Sequence, residues 1–206
     1  MPVVLLTPGT ISEQADGNAA WTNPNNMIAE DGSDATVMGN ATTPRSNAIH
    51  ATNFSGAGSI SDDATVTGLR IRFFGRCTTA GFTGTILPRM EDVQLIVGGT
   101  PTGDTEISGS LSSAIDVVRY APISGTTLFG LTPTMAQVKA SNFGVRFIFD
   151  TNATPNKTGT DYLDSVRIEL TYTEPAAPEG GGGVGGRRFT LTGDFGDRRP
   201  GGIHGR

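Results

Sequence analysis

A chain of 206 residues is long enough for one β domain of ordinary size with extensions at its ends. At 36% hydrophobic and 7% aromatic residues its core is modest, and 29 glycines with 12 prolines fit short strands joined by turns. One cysteine, Cys77, excludes an intrachain disulfide, two histidines leave no credible zinc ligand set, and no apolar run approaches the ~20 residues of a membrane helix.

The net charge of −5 is unevenly placed: residues 180–206 hold five arginines against two aspartates, +3, which leaves −8 on the first 179. An acidic body with a cationic tail predicts a tail that docks on something acidic, a neighbouring copy included. A disordered solubilising tail is the plain alternative. Residues 1–6 lack the basic n-region and the apolar length of a secretion signal.

In chain order, Val3, Val4, Leu5 and Leu6 form a short apolar arm ending at the Thr7-Pro8-Gly9 turn, to be read as an edge strand or a docking arm. Residues 11–20 are polar and lead to Trp21, the sole tryptophan, which reads as a core or rim plug at a strand end before an Asn/Pro turn. Residues 35–38 and 45–54 are short strands, the second carrying His50 as a rim histidine. Over 65–77, Leu69, Ile71 and Phe73 alternate with Arg70, Arg72 and Phe74, a period of two that puts the arginines outward, where acids of an adjacent strand can meet them. Gly68 within it signals a bulge.

Residues 92–97 form a strand turned by Gly98-Gly99, and 105–111 and 117–120 are further strands. Leu128-Phe129-Gly130 is an apolar plug. Residues 132–139 make the one helix, with Thr132 as cap and Pro133 in the first position. Phe143, Val145, Phe147 and Phe149 alternate with Gly144, Arg146 and Ile148 as a strong strand, and residues 150–160 are a loop. In 161–173, Val166, Ile168, Leu170 and Tyr172 share one parity, while Arg167, Glu169 and Thr171 face water. Pro175, Pro178 and a glycine run follow. The pattern predicts an all-β, antiparallel β-sandwich of jelly-roll type with one short helix and extended terminal arms. Its parts are an N-terminal arm or edge strand over 1–10, the sandwich over 11–174, and a docking tail over 175–206.

Catalysis has little to draw on. A Ser-His-Asp set would need His50, and no serine stands in a G-x-S-x-G setting. No glycine-rich phosphate loop ends in Gly-Lys-Ser/Thr. The pairs Asp31/Asp34, Asp62/Asp63 and Asp161/Asp164 suit turns as well as they suit a glycosidase. Asp150, Asn152 and Asp161 offer oxygens for a structural Ca²⁺, against the plainer reading of turn and capping aspartates. The expectation is a non-enzyme with no cofactor and no metal. The acidic body speaks against nucleic acid. Cys77 reads as a buried free thiol.

Taken in succession, Trp21-Thr22-Asn23-Pro24, Asp31-Gly32, Ala35-Thr36-Val37, Ala51-Thr52-Asn53-Phe54, Ala64-Thr65-Val66-Thr67-Gly68-Leu69-Arg70-Ile71, Asp92-Val93-Gln94-Leu95-Ile96, Leu128-Phe129-Gly130, Ser141-Asn142-Phe143-Gly144-Val145 and Asp161-Tyr162-Leu163-Asp164-Ser165-Val166 resemble β-sandwich structural proteins of tailed-bacteriophage virions and prophages. The likeness spans residues 7–173; Phe129 departs from it, standing where a tryptophan is expected. It implies a structural component of the virion, of capsid decoration, fibre or baseplate type, with no catalytic residues. The implied partners are other virion proteins and copies of the chain, with no membrane insertion.

Arms that order on docking suit such a part. The expected contacts are Arg187, Arg188, Phe189, Leu191, Phe195, Arg198 and Arg199 in the tail and Val3, Val4, Leu5 and Leu6 at the N-terminus. The alternative is a carbohydrate-binding or lectin-like receptor-binding module recognising a host surface glycan. Its stacking residues would come from Trp21, Tyr120, Tyr162 and Tyr172, a thin supply. Exposure of Trp21 and Tyr120 separates the two readings.

Overall fold

The alternations read in 65–77 and 143–149 become central strands of two facing sheets. A computed structural model of the chain describes residues 1–40, 42–78, 88–112, 115–151 and 159–176. Its elements are β1 (Val3–Leu6), β2 (Thr10–Gln14), β3 (Trp21–Thr22), a 3-10 helix (Pro24–Ile28), β4 (Ala35–Gly39), β5 (Ala48–Thr52), β6 (Thr65–Cys77), β7 (Arg89–Val97), β8 (Thr100–Glu106), β9 (Val117–Ala121), α1 (Met135–Lys139), β10 (Gly144–Asp150) and β11 (Gly159–Thr173).

One sheet runs β3-β4-β11-β6-β9, with β1 also on β11, and the other runs β2-β5-β10-β7-β8. All strand pairings within them are antiparallel. If β4 to β11 are counted as eight strands, the first sheet reads first-eighth-third-sixth and the second reads second-seventh-fourth-fifth. That order is the paired Greek key of a jelly roll. Within it every connection but the β7–β8 hairpin crosses between sheets, and that hairpin turns on Gly98-Gly99, both at positive φ.

The core lies between the inward faces. Leu69, Ile71 and Phe73 of β6, Val145, Phe147 and Phe149 of β10, and Val166, Ile168 and Leu170 of β11 are all fully buried. Phe73 meets Phe147 edge to face with ring centroids 5.0 Å apart, and Trp21 meets Phe149 likewise at 6.1 Å. Trp21 is 6% exposed and its indole N–H donates to the Asn47 carbonyl, so it is a core plug. Cys77 is buried as a free thiol, and desolvation pushes its pKa up to about 11.

Several elements depart from the expectations. The polar stretch 11–20 contains an edge strand, β2, whose one buried side chain is Ile11. The strand expected over 105–111 is displaced to Thr100–Glu106, because the two-glycine turn returns the chain directly. The Asn/Pro turn after Trp21 continues into the 3-10 helix. Helix α1 begins later than expected: its cap is Thr134, whose side chain accepts from the Gln137 N–H while the Gln137 side chain accepts from Thr134. Thr134→Ala removes that reciprocal cap and is expected to cost about 1 kcal/mol in urea unfolding.

The largest departure is in β11, which starts at Gly159 inside the expected loop. Its pairing with β6 shifts register between Leu163 and Ser165, a bulge that reverses the parity. Asp161 and Leu163 therefore face inward together with Val166 and Ile168. The other face is not wholly wet either. β4 covers one end of this edge of β11 and β1 the other, and the 3-10 helix fills the gap between them. Arg167 is buried there at 7% exposure and donates to the Ile28 carbonyl at 2.7 Å.

Candidate docking face

The outer face of the β6/β11 sheet carries the arginines expected to point outward. Register places Arg70 beside Glu169, Arg72 between Arg167 and Tyr120, Phe74 between Ser165 and Val118, and Arg76 beside Tyr162. Each arginine lies over an aromatic ring: Arg70 over Tyr120 at 3.7 Å, Arg72 over Phe74 at 5.8 Å, and Arg76 over Tyr162 at 4.5 Å from the ring centroids.

Carboxylates fix the guanidinium groups of Arg72 and Arg76, whereas Arg70 donates to the Ile123 carbonyl at 3.1 Å. Glu30 accepts from both Nη atoms of Arg72, and Ser165 Oγ donates to Glu30 at 3.2 Å. Arg76 donates to Asp116 at 2.8 Å and to Asp34 at 2.6 Å. The acids were expected on an adjacent strand, but Glu30 and Asp34 come from the loop after the 3-10 helix. Two further backbone N–H groups of that loop, of Asp31 and Gly32, donate to Asp164 at 3.3 Å each. The hydrogen bond from Arg72 lowers the Glu30 pKa against the opposing effect of its burial. Desolvation, then hydrogen bonding to Glu169, raises the Tyr120 pKa. Burial lowers the pKa of Arg167.

Exposed large apolar side chains gather around the same sheet. Among the described residues, Met1, Val3 and Leu5 lie at or beside β1, Met38 on β4, and Ile115 and Ile123 just before and after β9, whereas Ile107 follows β8 of the other sheet. Exposures of 62% for Val3, 62% for Met38 and 58% for Ile123 leave them available to a partner. Of the four N-terminal residues expected to dock, Leu6 is fully buried in the chain's own core and Val4 packs against it, so Val3 and Leu5 alone face out. The stretch is the edge strand of its two readings. The tail residues Arg187, Arg188, Phe189, Leu191, Phe195, Arg198 and Arg199 lie outside the described residues, as does Asn152.

Among the described residues the face has guanidinium, phenol and carboxylate groups but no histidine. His50 stands on β5 between Ser12 and Arg146 in register, its pKa lowered by desolvation and then by Arg146. An open depression of about 520 Å³ beside α1 is lined by Leu128, Pro133 and Met135 with Asp62 and Asp63 at its rim, and no aromatic ring lines it. Tyr120, half-buried, and Tyr162 each have a ring face occupied by a guanidinium, which leaves less surface for stacking on a sugar. Among the described residues no helix is long and apolar enough to cross a membrane.

No family model and no curated protein matches the chain. Among solved structures it is similar to one described as "CBM4 structure and function", at 12% identity and a TM-score of 0.35, over 82% of this chain and 94% of that one. A likeness of that size supplies no ligand for this chain.

Proposed function

We propose that the chain is a non-enzymatic attachment part of a tailed-bacteriophage virion, of decoration, fibre or baseplate type, that works by docking on copies of itself and on neighbouring virion proteins. The virion assignment rests on the succession of motifs over residues 7–173. The docking assignment rests on one observation: exposed apolar side chains collect around a single sheet whose outer face is built of arginine and aromatic pairs. Arginine, tyrosine and phenylalanine are enriched at protein interfaces, and exposed apolar residues at the margin extend the area that contact would bury. The cationic tail adds a second, sequence-based attachment point.

The paired substitutions Val3→Asp and Ile123→Asp sit on exposed side chains and leave the thermal midpoint unchanged. Self-association measured by sedimentation equilibrium is expected to weaken about tenfold or more, since charges placed in an interface are desolvated without partners. Association unaffected by both substitutions removes the docking face from the argument. Strong, selective binding of the wild type on a glycan array would transfer the function to carbohydrate recognition.

A further inference from the structure

Two depressions adjoin beside α1, divided by Thr132 and Pro133, which line both. The larger, about 520 Å³, has Val66, Leu128, Pro133 and Met135 as its apolar lining. The smaller, about 410 Å³, has Val97 of β7 and Leu131 as apolar walls. Apolar side chains seated there would remove this surface from water.

The rim of the larger depression is acidic. Asp62 lies there and is held by Lys139 at 2.6 Å. Asp63 beside it is exposed and forms no ion pair among the described residues. β11 also ends at this rim: Thr173 is in register with Thr65, which lines the same depression, and exposed Glu174 follows. The described chain stops at Ala176.

An occupant that fits needs apolar side chains next to positive charge. The 30 residues that follow Ala176 hold both: Arg187 and Arg188 precede Phe189, and Leu191 stands two positions on. In an extended segment, side chains two positions apart point the same way, about 7 Å from each other. Phe189 and Leu191 thus suit two adjoining hollows. Phe189 stands 13 positions beyond Ala176, a reach of up to about 40 Å, enough to pass to a second copy. An arm rooted at the rim of its own depression meets the same depression of a copy related by a two-fold axis, so the contact is reciprocal and closed.

We propose that the paired depressions receive residues 187–191 of a second copy, the two copies exchanging tails. Phe189 and Leu191 fill the hollows, while Arg187 and Arg188 meet Asp63 and Glu174. The exchange rests on the reading that the chain docks on copies of itself, but it uses none of the arginine and aromatic pairs of the docking face.

The test uses the full chain with Phe189 replaced by photoreactive benzoylphenylalanine. Irradiation is expected to give a product of twice the chain mass, cross-linked within residues 62–66 or 128–135. In sedimentation equilibrium, Phe189→Ser is expected to weaken self-association about tenfold and Asp63→Arg about fivefold. Asp63→Arg combined with Arg188→Asp in one chain restores the opposite charges and should recover much of the loss. A cross-linked product of single-chain mass, or cross-links outside those residues, overturns the exchange. Association abolished by Val3→Asp with Ile123→Asp but untouched by Phe189→Ser and Asp63→Arg also overturns it, and leaves the docking face standing. A wild type that does not self-associate overturns both.

Discussion

Phe147→Ala is expected to lower the unfolding free energy by about 3–5 kcal/mol, the upper range for a core truncation. Phe147 is fully buried and its ring meets Phe73 edge to face at 5.0 Å, the contact that joins the two sheets at their centres. Both strands are held on each side, β10 by β5 and β7, β6 by β11 and β9, so neither can move in to fill the space. The lost ring therefore leaves a cavity in addition to the lost transfer energy and the lost aromatic contact. For a folded body of this size the thermal midpoint should fall by about 10 °C. Urea titration followed by far-ultraviolet circular dichroism checks the result. A loss below about 1 kcal/mol would mean that the sheets do not meet at this pair.

The second large effect is a pH dependence that originates at Asp161. Burial first, and the Asp150 charge second, raise its pKa from 3.8 to about 8. The folded state then keeps a proton that the unfolded chain has released. Stability from this group is complete below the unfolded pKa and is lost as pH rises toward the folded one. Between about pH 4 and pH 8 the wild type should lose on the order of 5 kcal/mol, at about 1.36 kcal/mol per pH unit. Asp161→Asn has no proton to release and should flatten that part of the profile. Urea midpoints measured across the range decide it; parallel wild-type and variant profiles would show that the carboxyl is not desolvated in the folded chain.

The strands visible in the sequence were those with a consistent alternation. Phe143 to Phe149 and Leu69 to Phe73 could be assigned to a face because large apolar residues recur at every second position. β2 was hidden because Ile11 is its single buried residue, and a short edge strand needs no more. Parity reads correctly only while register is constant, so the bulge at Asp164 concealed the inward position of Asp161. The outward arginines of β6 were legible. Their partners Glu30 and Asp34 were not, because a loop following a 3-10 turn has no period from which its position over a sheet follows. The gap between β4 and β1 on one edge of β11 buries Arg167 in a position that alternation assigns to water.

The register that passes through Asp161 has one more consequence. Trp21 pairs with Val37, Val37 with Asp161, and Asp161 with Cys77, so the chain's single indole and single thiol end one transverse line across four strands. The molecule thus carries two native reporters at either end of the same row. Emission at one end and trapping by a thiol reagent at the other distinguish a row that opens as a unit from one that frays from a single side.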